Sequence, residues 1–158
     1  MGVGGFGFGV QSFGFGGLEF CVWGLAFGVM RIERFEDIEV WKDARELCKR
    51  VFELTSDEPF SGDFKFRSQL RGAAGSIMDN IAEGFGRGGN KEFINYLSMA
   101  KGSCEEVRSQ SYRAFDFQYI PHDTLTDLLE ATDKISRKIS NFIKYLKTSD
   151  LKGPKFKP

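Results

Sequence analysis

Histidine is almost missing from this sequence: His122 is the only one, and it follows Pro121 in what reads as a connector. Without a second histidine, the familiar nucleophile–base triads cannot be assembled. The three cysteines, Cys21, Cys48 and Cys104, are odd in number and far apart, with no CxxC pair and no Cys/His cluster. Neither a zinc site nor a disulfide framework is supported by that spacing. It fits a reducing cytoplasm, with Cys48 and Cys104 as small core residues. Net charge is missing too, since 22 Lys and Arg are balanced by 22 Asp and Glu. This disfavours a globally basic nucleic-acid binder and leaves room only for a local basic patch. The longest apolar stretch, residues 18–30, is too short to span a bilayer.

The same stretch closes a segment unlike the rest. Residues 1–29 are dominated by glycine and phenylalanine, contain no lysine or arginine, and carry a single acid, Glu19. They lack the basic start and cleavage site of a secretory signal. Two readings remain: a low-complexity tail, or upstream sequence translated from a mis-assigned start. The second is favoured, because Met30 is followed at once by charged sequence with regular periodicity. Residues 30–148 then make one domain, as a chain of 158 residues allows, and 149–158 form a short basic tail.

Within 30–148 the periodicity is helical throughout. A first helix is predicted over 37–55, where Trp41, Ala44, Cys48, Val51 and Thr55 recur at spacings of three and four, with Val40, Leu47 and Leu54 beside them. A second runs from the N-cap Asp63 to Gly84 on the seam Phe66, Leu70, Ala73, Ile77, Asn80 and Gly84. A third starts at Asn90, again a good N-cap, and follows Phe93, Leu97, Ala100, Cys104, Val107, Ser111 and Ala114. Pro121 opens a fourth, with Leu125, Leu128, Thr132, Ile135, Ile139, Phe142 and Leu146. The fold class is therefore all-α, an antiparallel up-down-up-down four-helix bundle.

The stretch "SIMDNIAEGFGRGGNKEF" outlines a phosphate loop, yet fails as one. A P-loop needs a strand before it, and a lysine and a hydroxyl after its second glycine. Here a helix precedes Gly84, and Asn90, Lys91 and Glu92 follow Gly89. "GFGRGGN" reads better as a helix C-cap glycine, a hinge and the next N-cap. The polar residues are more informative. Ser76, Asn80, Glu83 and Arg87 line one edge of the second helix, and Ser103, Glu106, Gln110 and Arg113 one edge of the third. Two such edges suggest a hydrogen-bonded network of Ser76, Asn80, Glu83, Ser103 and Glu106 that fixes register. The competing reading is a carboxylate site. It lacks the histidines that di-metal bundles carry three residues after each glutamate, since Gly86 and Ser109 stand there. The small residues of "RGAAGS" suggest that another backbone approaches the second helix.

Two runs carry a resemblance. "SQLRxAAxSIxxNIAEGxxR" is present as Gln69, Leu70, Arg71, Ala73, Ala74, Ser76, Ile77, Asn80, Ile81, Ala82, Glu83, Gly84 and Arg87. "EFIxxLxxAxGSxxE" is present as Glu92, Phe93, Ile94, Leu97, Ala100, Gly102, Ser103 and Glu106. Over about residues 34–147 the chain resembles the bacterial four helix bundle proteins, also called 23S rRNA intervening-sequence proteins. It departs from them at Gly72, where a second basic residue is more usual. The resemblance implies a small cytoplasmic homo-oligomer, a ring of five bundles. Related accessory proteins of diversity-generating retroelements bind a reverse transcriptase and nucleic acid through such a ring. The family offers no catalytic residues, cofactor or metal to carry over, and its name reflects gene location.

The functional expectation is a non-enzymatic binding module for RNA, DNA or a nucleic-acid-handling partner such as a reverse transcriptase. Its contacts would be Arg67 and Arg71, one turn apart, with Arg87 and Lys91 at the hinge and Lys147, Lys152, Lys155 and Lys157 as a basic end. The alternative is a purely structural oligomer without a nucleic-acid ligand. The first helix shows two adjacent apolar stripes, and Met78 and Phe85 flank the second seam. That surplus points to a subunit contact through Val40, Leu47 and Met78.

Overall fold

The computed structural model describes residues 32–148. Residues 1–31 and 149–158 lie outside the described residues, and with them the reading of the glycine–phenylalanine segment and of Lys152, Lys155 and Lys157. After a short 3-10 turn at Phe35–Asp37 come four helices: α1 (Glu39–Leu54), α2 (Phe64–Gly86), α3 (Asn90–Asp116) and α4 (His122–Thr148). Consecutive helices pack side by side and α4 returns to α1, which closes an antiparallel four-helix bundle. None of these helices is long and apolar enough to cross a membrane.

The predicted seams form the core. All seven predicted α3 seam residues are buried, from Phe93 to Ala114. The polar member of that seam, Ser111, and the threonines of the first and fourth seams are satisfied locally. The hydroxyls of Thr55, Ser111 and Thr132 donate to the carbonyls of Val51, Val107 and Leu128 at 2.7, 2.8 and 2.8 Å. Asp63 caps α2 by accepting from Phe66 N at 3.0 Å, as expected. α3 begins with Asn90 as its first residue, behind Gly89 as N-cap. His122 is the exposed first residue of α4, its ring against Phe115.

The two stripes of α1 merge into a single broad buried face. Val40 is 4% and Leu47 2% exposed, inside the chain's own core with Trp41, Ala44 and Val51, and Met78 packs half-buried against it. Val40 and Leu47 are thus not available as subunit contacts. A globular helix buries a stripe wider than a strict coiled-coil seam, and these residues fill that extra width. Phe60, in the α1–α2 connector, is also fully buried, closing the end of the bundle against Phe66 and Tyr119.

The glycines are used differently from what the sequence suggests. No atom lies within 4 Å of a β-carbon placed on Gly72, so no other part of the described chain approaches there. The close approach is at Gly84, where an added Cβ would meet Tyr96 Cβ at 2.5 Å and Phe93 Cδ2 at 2.9 Å. Gly84 is accordingly buried inside α2. The helix runs on to Gly86, and the left-handed glycine of the connector is Gly88, with φ of 72°.

The α1–α4 edge is closed by charge. Asp43 accepts from Lys134 Nζ at 3.0 Å and from Lys138 Nζ, and Arg50 pairs with Asp127 at 3.4 Å. Burial pushes the Asp43 carboxyl up, but the hydrogen bonds from Lys138 and Lys134 outweigh it and hold the group below its ordinary value.

Gly72→Ala is expected to stabilise the chain by about 0.5–1 kcal/mol, the intrinsic helix-interior difference. Gly84→Ala is expected to destabilise it by roughly 1–3 kcal/mol through overpacking. Denaturant unfolding of both variants checks the opposite signs. For Asp43 the folded carboxyl value is depressed, so its contribution is complete above the unfolded carboxylate range and fades as pH falls through the folded one. Asp43→Asn is therefore expected to lower stability at neutral pH and flatten the acid limb of the stability–pH curve. Parallel curves for variant and parent would contradict the assignment.

Candidate functional site

The polar edges of α2 and α3 do not meet as a ladder. Asn80 Nδ2 donates to Ser76 O at 2.7 Å, Ser103 Oγ to Met99 O at 3.3 Å, and Gln110 Nε2 to Glu106 Oε1 at 2.9 Å. Each bond stays on its own helix: Asn80 and Ser103 find the backbone carbonyl one turn back more readily than a partner across the groove, and Gln110 finds the carboxylate one turn back. Of the five residues of the expected network only Glu83 crosses, and to a residue outside the set. Tyr96 Oη donates to Glu83 Oε1 at 2.7 Å, while Arg87 Nη2 donates to Glu83 at 2.6 Å and to Tyr96 Oη at 2.9 Å. The Arg87 hydrogen bond, helped by Tyr96, holds the Glu83 carboxyl below its usual range, and the bond to Glu83 pushes the Tyr96 phenol up.

This three-way clasp exists because Gly84 lets Tyr96 in. The glutamate, glycine and arginine of the "EGxxR" run therefore act together as a helix-packing device.

The clasp leaves Glu83 and Glu106 apart in role, each held by a neighbouring hydrogen bond. Among the described residues no group of three His, Cys, Asp or Glu side chains is placed to hold a metal ion. Cys104 is buried and its thiol is pushed up to about 12 by burial, and burial raises Cys48 as well. Neither has the thiolate character of a nucleophile.

The four expected cationic contacts fall into two groups. Arg67 and Arg71 lie in the first turns of α2, whereas Arg87 and Lys91 flank its far end. At 1.5 Å per residue the groups are roughly 25–30 Å apart, so they do not form one patch. Arg71 has a structural role. Its Nε donates to Thr55 Oγ1 at 2.7 Å, and its Nη2 to Phe52 O at 3.2 Å and Ser56 Oγ at 3.1 Å, satisfying the carboxyl end of α1. Lys91 is exposed on the first turn of α3.

At the Arg67 end the structure assembles something the seams did not reveal. Guanidinium groups lie over aromatic faces: Arg71 over Phe52 at 4.2 Å, Arg67 over Phe64 at 5.5 Å and Arg113 over Phe66 at 4.1 Å. Three phenylalanines beside them stand open to solvent, with Phe52 56%, Phe64 70% and Phe117 52% exposed. Antiparallel packing brings the carboxyl ends of α1 and α3 and the amino end of α2 together here, so residues far apart in sequence share one surface. The available signal was weak: aromatic residues at helix ends, off every apolar seam.

With the fold and these contacts in place, the relatives can be set beside the chain. The model of the 23S rRNA-intervening sequence proteins matches residues 36–141, most of the described bundle, and the chain belongs to that family. Among solved structures it is similar to a protein of unknown function from the S23 ribosomal protein family of Bacteroides thetaiotaomicron. The identity is 21% and the TM-score 0.62, with 66% of this chain and 95% of the other covered. At that identity the likeness speaks for the fold. No curated protein matches the chain.

Arg71→Ala is expected to cost about 1–3 kcal/mol in unfolding free energy, since it leaves α1 carbonyl and hydroxyl groups without their charged donor. Arg71→Lys is expected to recover only part of this, because one ammonium cannot reproduce the planar fork. Equal stability of parent and Arg71→Ala would refute the capping role.

Proposed function

We propose that the protein is a non-enzymatic binding module that works as a homo-oligomer, a ring of five by family resemblance, and binds nucleic acid through its aromatic–arginine end. The observation that carries this reading is the set of three guanidiniums laid on aromatic faces beside exposed Phe52, Phe64 and Phe117. Cations that meet phosphates, interleaved with rings that stack on bases, are the composition of a strand-binding surface. Arg67 stays in the proposed contact, joined by Lys65 and Arg113, while Arg87 is engaged by Glu83 and Tyr96 at the other end. A cytoplasmic site of action belongs to the same proposal.

A second reading has its own support. Asp57, Glu58, Asp63 and Asp116 lie in the sequence beside these cations. Aromatic residues and arginine within a mixed-charge rim also suit a contact between subunits. In that case the chain is a structural oligomer with no nucleic-acid ligand.

Titration of a labelled oligonucleotide at low and moderate salt separates the readings. Nucleic-acid binding predicts an affinity that falls steeply with salt, with a slope that becomes shallower by about one in Arg67→Ala. Light scattering that shows an oligomer, together with no salt-sensitive binding, would leave the structural reading in place of the proposal.

A further inference from the structure

A shallow open slot lies where the amino end of α2 meets the carboxyl end of α3, lined by Asp63, Lys65, Phe66, Gln69, Arg113 and Phe117. Phe66 is buried in it, and the exposed ring of Phe117 stands edge-on to Phe66 at 6.0 Å. Arg113 lies over the Phe66 ring at 4.1 Å and donates through Nη2 to Gln69 Oε1 at 3.0 Å. Its Nε is buried and makes no hydrogen bond among the described residues. A buried guanidinium donor left unmatched is costly. Here it sits beside an aromatic ring half open to solvent, with an ammonium and an amide close by.

Phe117 is held in place. It caps α3, and the turn behind it is fixed by Gln118 N donating to Phe115 O and Tyr119 N to Ala114 O, each at 2.8 Å. Asp63, the one carboxylate lining the slot, accepts from Phe66 N and from Tyr119 Oη rather than from Lys65 or Arg113.

We infer that this slot takes an unpaired nucleobase, stacked on Phe117, with the adjoining phosphate on Arg113 and Lys65. The inference rests on the nucleic-acid reading above and adds the ligand class to it: single-stranded nucleic acid, RNA and DNA alike, since stacking does not consult the sugar. An acidic peptide would answer the two cations but leave the exposed ring uncovered. An apolar side chain would cover the ring and leave the charges of Arg113 and Lys65 without a counter-charge. A base on its phosphate does both. In a duplex the base faces are already stacked, so a duplex offers the slot only phosphate.

The test uses the full chain and fluorescence anisotropy with labelled oligouridine, oligothymidine and a duplex of equal length, and with labelled polyglutamate as an anion without bases. The expected result is similar affinity for the two single strands and at least tenfold weaker binding of duplex and polyglutamate. Phe117→Ala is expected to weaken single-strand binding about tenfold, and Phe117→Trp to restore it. Phe117 is exposed, and circular dichroism confirms that each variant is folded. If Phe117→Ala binds as the parent does while Lys65→Ala weakens every ligand alike, the base slot is wrong and the nucleic-acid reading survives. Polyglutamate bound as tightly as the strands would overturn the slot in favour of an acidic peptide. No binding to any strand at low salt would overturn both.

Discussion

At Gly84 the backbone of α2 runs so close to α3 that a β-carbon would sit 2.5 Å from Tyr96 Cβ and 2.9 Å from Phe93 Cδ2. A contact this tight leaves little freedom in how the two helices lie, because packed interiors do not deform continuously. It places Tyr96 Oη where Glu83 and Arg87 can both reach it, and it seats Phe93 against Phe85 and Phe142. Further along the same helix pair, the register set there brings Arg113 to Gln69 and Phe117 to Phe66. The slot at the far end thus inherits its geometry from a missing side chain some five turns away.

α1 is attached by other means. It contributes Val40, Leu47 and Val51 to the core, but its edges are held by ions and hydrogen bonds. Asp43 meets Lys134 and Lys138 of α4, and Arg71 of α2 gathers the carbonyl and hydroxyl groups at its end. Partly exposed charge pairs are worth little individually and weaken with salt. The bundle therefore divides into a rigid pair, α2 and α3, and an element whose docking is softer. The aromatic–arginine surface spans both parts, since Phe52 comes from α1 and Phe64 and Phe117 from the pair.

The apolar skeleton was legible in the sequence because helical burial repeats every three to four residues. The α3 seam from Phe93 to Ala114 could be read directly, as could Asp63 as a cap. The hydrogen-bonding pattern was less so. Asn80 and Ser103 have the spacing of a cross-helix ladder, but spacing does not tell a partner across the groove from a carbonyl one turn back. Val40 and Leu47 looked like surplus because a two-stripe pattern does not reveal how wide a face the neighbouring helices will cover. Phe60 and Phe117 were invisible for another reason: they lie beyond helix ends, where no periodicity applies and only the closed bundle gives them neighbours. Arg113 and Gln69 are 44 positions apart, and only antiparallel packing brings them together.

Native-state hydrogen exchange read amide by amide tests most directly whether the α2–α3 pair is the part on which the rest depends. The account predicts the slowest exchange, at the free energy of global unfolding, for α2 amides around Ile81–Gly84 and α3 amides around Phe93–Leu97. α1 amides should exchange through a partial opening of lower free energy that grows easier as salt screens Asp43. Equal protection of α1 and the α2–α3 pair at every salt concentration would contradict it.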